Sequence, residues 1–353
     1  MDATETGVCY GPSGWQVCLG ARPTEQVQLQ GTLDTDKSDA GNPCLKSQPM
    51  SWTATQPDAC IVVGDTIAVT SLGVTGSRPL VLVAQTGIAV MNLLDVASHR
   101  PTGAVGAGTG TAGDCNPFGS SPGNGPSGAG GAGGGFMFPG GNGGTGDGVN
   151  RAGGQAAAAV PGAPTRLRGG CVGQPGGGGN ASDGGAGGGA VYLVSAGTIS
   201  MSGKIDVSGA GGAGRDALHG GGGGGSGGMV VLHAAFITTT PSNILIADGG
   251  GGGGGSTAID QQTMTKRGDD GHEPVLTAPI APALGGTGGV ALGATGGAGG
   301  KGYPAASNMV PGLTGEAGDT GAGGGGGGGG GGYIRSNQAL GMAAVSPAAD
   351  IRP

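Results

Sequence analysis

The chain has 353 residues, of which 93 are glycine, against a background usage of about 7%. With 10% charged and 3% aromatic residues, it fits neither an ordinary aromatic-rich core nor the charged composition of a disordered chain. The formal net charge is −7 with 15 Lys and Arg and no basic cluster, which argues against nucleic acid or an anionic membrane surface as a partner. No apolar run reaches the ~20 residues that span a bilayer, so no membrane insertion is expected.

Taken in chain order, residues 1–58 are an N-terminal cap that holds Cys9, Cys18 and Cys44, with Cys60 just past its boundary. The other two cysteines are Cys115 and Cys171, and no C-x-x-C pair exists to favour zinc. Read as disulfides, six cysteines leave many pairings open, and the sequential one is the simplest. That usage points to an oxidising, extracellular location. The chain starts MDATETG without a charged or apolar leader, so an export signal is expected to have been removed ahead of Met1. Trp15 and Trp52 are expected to pack in this cap, covering the first strands of the repetitive region that begins at residue 59. Asp34, Asp36 and Asp39, in LDTDKSDAGN, place oxygen ligands near one another and are calcium candidates; a solvated acidic turn is the competing reading.

Residues 59–335 carry an internal repeat. LVLVAQTGIAVMNLLDVAS from Leu80 aligns without gaps on VYLVSAGTISMSGKIDVSG from Val191, and MVVLHAAFITTTPSNILIADG from Met229 and IVVGDTIAVTSLGV from Ile61 keep the rhythm. Each copy has three apolar pairs spaced by two: Leu80/Leu82, Ile88/Val90 and Leu94/Val96 in one, Val191/Leu193, Ile199/Met201 and Ile205/Val207 in the next. The others read Met229/Val231, Ile237/Thr239 and Ile244/Ile246, and Ile61/Val63, Ile67/Val69 and Leu72/Val74. A spacing of two places alternate side chains on one face of a strand. Three short strands per copy predict an all-β fold, a short three-sided β-solenoid; a β-sandwich is the alternative.

Three glycine-rich insertions, 97–190, 208–228 and 247–332, leave after the third strand of a copy. They contain near-pure glycine runs at 220–225, 249–255 and 323–332. The expectation is that they are ordered as polyglycine II helices, the last run extending about 31 Å at ~3.1 Å per residue. A flexible linker is the alternative. Residues 336–353 are a C-terminal cap or tail, with Leu340, Met342 and Val345 to bury.

The segments GGAGGGAVYLVSAGTISMSGKIDVSGAGG and GGGGGGSGGMVVLHAA resemble those of secreted glycine-rich bacterial surface proteins. The glycine tracts alone are similar to the glycine-rich region of anaplastic lymphoma kinase type receptors and to polyglycine tip adhesins of phage tail fibres. The resemblance implies an exposed structural or recognition module and supplies no catalytic residue.

Motifs for chemistry are sparse. The G-x-S-x-G at residues 224–228 lacks the strand, helix and partners of a nucleophile elbow, and Lys301 is followed by glycine, which excludes a P-loop. Asp95 and Asp206 hold the same place in adjacent copies, facing outward about 4.8 Å apart if rungs stack. They are the acid pair a β-helical polysaccharide enzyme or carbohydrate-binding module would use; the third copy has Leu245 there. Phe136 and Phe138, flanked by glycine and proline, are a candidate exposed contact. His99, His219, His233 and His272 fall in unrelated contexts with a surface or turn role expected. The functional expectation is a non-enzymatic, extracellular structural or adhesive protein with no cofactor. Self-association or a surface partner is expected to use the C-terminal or insertion face. An ice-binding protein is a further alternative, without the threonine ladder such a face requires.

Overall fold

The computed structural model describes residues 7–39, 41–110, 114–178, 182–214, 219–257, 267–291, 293–304, 312–341 and 343–352; Met1 and Met342 lie outside them. In chain order the elements are β1 (Val8–Tyr10), β2 (Val17–Leu19), β3 (Gln26–Asp34), α1 (Met50–Thr53), β4 (Cys60–Thr75) and β5 (Leu80–Asp95). They continue with β6 (Ala190–Met201), β7 (Lys204–Asp206), β8 (Met229–Thr238), β9 (Ile244–Ile246), β10 (Val290–Ala291) and β11 (Ala294–Thr295). The last three are β12 (Tyr333–Ser336), β13 (Ala344–Ser346) and β14 (Asp350–Ile351). The fold is all-β, with one helical turn among the described residues.

Ten of these strands form one parallel sheet. β3 lies on β4, β4 on β5, and β5 carries both β6 and β7; β8 and β9 continue the next rung, β12 and β13 the one after, and β14 closes on β12. Leu80 is in register with Val191 and Asp95 with Asp206, as the ungapped repeat requires. Register shifts between Gly64 and Thr66 and between Val69 and Ser71 bend β4 where its apolar pairs change phase, since an extra residue on one strand sharpens the local twist.

The three-sided solenoid is corrected here: the sheet curls into a half-barrel and does not close. Closure needs each rung to run directly into the next. Only β4 does so, through residues 76–79; β5, β7 and β9 lead instead into the glycine-rich segments.

Leu80, Leu82, Ile88, Val90, Leu94, Val96 and their counterparts from Val191 to Val207 form the core inside the curl. In three rung segments the inward phase is one residue away from the expected one. Cys60 and Val62, Val230 and Leu232, and Leu245 and Ala247 face this core, whereas Ile61, Met229 and Val231 belong to a second core. Ile244 and Ile246 flank the inward Leu245. The reason is that these segments are buried on both faces: Cys60, Ile61 and Val62, the run from Met229 to Leu232, and Ile244, Leu245 and Ile246 are all buried. Alternation carries no phase in such a strand.

The second core explains the tryptophans. Trp15 and Trp52 pack on the back of the sheet rather than over its end, Trp52 stacked on Tyr192 at 6.1 Å and Trp15 edge-on to it at 5.8 Å. Gln56 locks this layer to the first insertion by donating to Gly14 O and Thr165 O and accepting from Leu167 N–H. The Tyr192 hydroxyl is buried without a hydrogen-bond partner. Tyr192→Phe is therefore expected to leave the melting temperature unchanged or raise it, because it removes an uncompensated desolvation cost; a clear loss in a thermal melt would reveal a partner for that hydroxyl.

All three disulfides join sequence neighbours: Cys9–Cys18, across the β1–β2 hairpin, Cys44–Cys60 and Cys115–Cys171.

The glycine segments are hydrogen-bonded throughout their runs. In 323–332 the donors turn through three directions. Gly323, Gly326, Gly329 and Gly332 donate to Ser256, Gly253, Gly250 and Ala247; Gly324, Gly327 and Gly330 donate to Gly128, Gly131 and Gly134; Gly325 and Gly328 donate to Glu316 and Leu313. Its carbonyls accept on three more sides, from Gly221, Gly224 and Gly227, from Gly297, Gly300 and Tyr303, and from Gly144, Gly141 and Phe138. One run thus has six neighbours drawn from all three insertions, and the N–H groups of residues 323–330 and the carbonyls of residues 323–331 are all paired without a sheet or a helix ladder.

Candidate functional site

A group of titratable side chains forms where β5 and β7 end and glycine begins. Each strand finishes with the same turn: Asp95 Oδ1 accepts the Ala97 N–H at 3.1 Å, and Asp206 Oδ1 accepts the Ser208 N–H at 2.9 Å. Such a carboxylate bond to the backbone two residues on stops a strand and redirects the chain. The pair therefore stands on adjacent rungs, on the face opposite the core residues Leu94 and Ile205. The next rung presents Ile246 there, not Leu245, because of the one-residue phase difference.

His99 sits over Asp95. Its Nε2 lies 3.1 Å from Asp95 Oδ2, and its Nδ1 lies 2.8 Å from Glu273 Oε2. The other Glu273 oxygen accepts the Arg100 N–H at 2.5 Å. The Arg100 guanidinium reaches Gly184 O at 3.0 Å and Gly211 O at 2.5 Å, and Lys204 Nζ donates to Leu276 O at 2.8 Å. These contacts tie the roots of all three insertions together. Behind them Asp248, fully buried, accepts from Ser346 Oγ at 2.5 Å, while its second oxygen and the Ser208 hydroxyl have no hydrogen-bond partner.

The two carboxylate bonds raise the His99 pKa to about 10. Burial raises Asp206 to about 6 and Asp248 well above its usual value. A neutral imidazole has one N–H and cannot serve both carboxylates, so the clamp needs the imidazolium. Each shift favours the protonated form in the folded state. The stabilisation from His99 is complete below about pH 6.5 and lost as pH rises through about 10; that from Asp206 is complete below about pH 4 and lost through about 6. The melting temperature is expected to fall across both windows, with His99→Gln flattening the upper one and Asp206→Asn the lower. Melts of His99→Gln and wild type that decline in parallel up to pH 10 would refute the clamp.

The remaining candidates do not join this cluster. Asp36 is engaged by the Ser77 N–H at 2.8 Å and Ser77 Oγ at 2.7 Å, and Asp34 Oδ1 accepts the Asp36 N–H at 3.0 Å. Asp39 is exposed. Asp34, Asp36 and Asp39 thus act mainly as turn residues, and no group of three or more metal-ligating side chains occurs among the described residues. Phe136 and Phe138 are not an exposed contact: Phe136 is fully buried with the Arg168 guanidinium 4.4 Å from its ring centre, and Phe138 stacks on Tyr303 at 4.7 Å. Their partners lie far along the chain, which is why flanking glycine misleads. His99 is a bridging group rather than a bare surface residue. Glu273, Asp248 and Ser346 had no signal in the sequence, since no repeat or motif places them near Asp95. No helix among the described residues is long and apolar enough to cross a membrane.

Comparison with protein families, with curated proteins and with solved structures finds no match in any of the three.

Proposed function

We propose that this chain is a non-enzymatic, extracellular structural or adhesive protein of a cell surface or matrix, built around a bundle of polyglycine II helices carried by the half-barrel. The observation that carries this reading is the six-neighbour pairing of residues 323–332. Three residues per turn with all polar backbone groups directed outward is the geometry of that helix, and only a side chain of one hydrogen permits neighbours on every side. The bundle is a rigid body of low charge, suited to display or attachment, and its three disulfides fit an oxidising exterior. The resemblance to glycine-rich surface proteins and tail-tip adhesins points the same way.

The polysaccharide-enzyme alternative loses support from the geometry. Asp206 is 5% exposed, and the Asp95 side chain is engaged by His99 and the Ala97 N–H, so neither stands open to a sugar chain. The test has two arms. Labelling of intact producing cells with a membrane-impermeant reagent is expected to mark the protein, and a screen of glycans with the oxidised protein is expected to show no cleavage. A cytoplasmic protein, or a glycan cleaved by wild type and spared by Asp95→Asn, overturns the reading.

A further inference from the structure

The two edges of the sheet are treated differently. At the C-terminal edge the last strand, β14, has two residues, follows Pro347 and carries the Asp350–Arg352 ion pair at 2.7 Å. Short strands, proline and charge are the usual guards against strand addition. The opposite edge has none of them until its end. β3 runs nine residues, QVQLQGTLD, with no proline and no charge before Asp34. The disulfide Cys44–Cys60 holds the segment after β3 against the start of β4, where the Leu45 N–H bonds to Ile61 O, and Lys37, Asp39, Asn42 and Pro43 of that segment stand across a groove from β3, with Asn42 Nδ2 donating to Asp34 O.

The backbone of β3 also shows which groups are free. The Asp65 N–H bonds to Glu25 O, and the Thr35 N–H bonds to Thr75 O, so the odd-numbered residues turn their polar groups towards β4. Alternation aims the N–H and C=O of Gln26, Gln28 and Gln30 away from the sheet; the ladder passes a register shift between Leu29 and Gln30 and the left-handed Gly31, and the bond at Thr35 restores the same phase for Thr32. Their side chains are exposed, while Leu29 and Leu33 are buried in the core and Val27 packs against it. Beside the strand runs a groove of about 600 Å³ lined by Val27, Leu29, Leu33, Leu72, Lys37 and Asn42.

We propose that β3 is a homodimer interface, in which a second copy of this chain adds its own β3 antiparallel about a twofold axis at Gln30. The sequence is self-complementary in that register. Gln30 meets Gln30 of the partner subunit, and Gln28 meets Thr32 of the partner subunit; all of these have outward backbone groups, so each pair exchanges both hydrogen bonds, as antiparallel pairing requires. Val27 then faces Leu33 of the partner subunit on the apolar side, continuing the core across the axis. A shift by one residue would place outward groups against inward ones, so the register is specified by the backbone as well as by the side chains. A twofold interface uses the same patch twice and closes on itself, giving a dimer and not a filament. Such a dimer forms whether or not the chain is adhesive, and it moves self-association from the C-terminal face to the N-terminal edge.

The experiment is sedimentation of the oxidised full chain over a concentration series, with three substitutions at the axis. Gln30→Pro removes an N–H that points away from β4, a place where an edge strand tolerates proline. Gln30→Lys puts like charges face to face, and mixing it with Gln30→Glu restores attraction between unlike copies. Wild type is expected to be a dimer, each of the three variants alone a monomer with a melting temperature near that of the monomeric form, and the Lys and Glu variants to form a heterodimer when mixed. A wild type that stays monomeric at high concentration overturns the proposal. So does a dimer that persists in Gln30→Pro and Gln30→Lys, or one that disappears only when the chain is truncated after Arg335.

Discussion

Gly327→Ala is expected to destabilise the protein by about 3 kcal/mol, the sum of an overpacked contact and lost hydrogen bonds. A Cβ at this position would lie 2.1 Å from Gly141 O and 2.6 Å from Asn142 O. Both are backbone atoms, so relief requires the 141–144 segment to move, and that breaks its own bonds from Gly141 N–H to Gly328 O and from Gly144 N–H to Gly325 O. Gly20→Ala is the control: no atom lies within 4 Å of its Cβ, and the change should be within about 0.5 kcal/mol of neutral. In an unstructured tract the sign reverses, because alanine reduces the entropy of the unfolded chain. Equal melting temperatures for Gly327→Ala and Gly20→Ala would mean that the hydrogen-bonded bundle is absent in solution.

Removal of the third disulfide should have a comparable effect. Cys115–Cys171 closes a loop with a sequence separation of 56, for which the chain-entropy model gives about 4 kcal/mol. The loop contains residues 128–134 and 138–144, two of the neighbours of the central glycine run. Around the bridge, Arg168 Nη2 approaches Cys171 Sγ at 3.3 Å, and Ser226 Oγ accepts the Cys171 N–H at 2.7 Å. The double variant Cys115→Ala with Cys171→Ala is expected to lower the melting temperature while preserving slow amide exchange at Gly131 and Gly134. An unchanged melting temperature would show that the loop is equally restricted in the unfolded chain, and loss of protection at those glycines would show that the bridge builds the order as well as stabilising it.

The rung register was legible because Leu80 and Val191 open ungapped copies, and the adjacency of Asp95 and Asp206 came with it. The disulfides joined the cysteines nearest in sequence. What was not legible has two physical sources. Runs such as Met229 to Leu232 are buried on both faces, so alternation cannot say which face is the core. The site was only half visible for a different reason: Glu273 reaches His99 across a sequence separation of 174, from a glycine-rich segment with no periodicity of its own. Phe136 was misplaced because its burial comes from the second core on the back of the sheet, which its glycine and proline neighbours do not signal.

The central run has a consequence for the order in which the molecule comes together. Residues 323–332 satisfy donors at Gly221, Gly224, Gly297 and Gly300 and use acceptors as early as Gly128, yet they emerge after all of these partners. Until they arrive, the six segments that surround them lack partners for the amides and carbonyls that face the run, although those segments pair with one another elsewhere, as Gly131 does with Gly221. Closing contacts this distant costs a large loop entropy before the contacts themselves can offset it. The half-barrel can form its early rungs as the chain lengthens, but the bundle is completed in one late event, so a chain interrupted before Gly323 is left with unpaired glycine segments open to those of its neighbours.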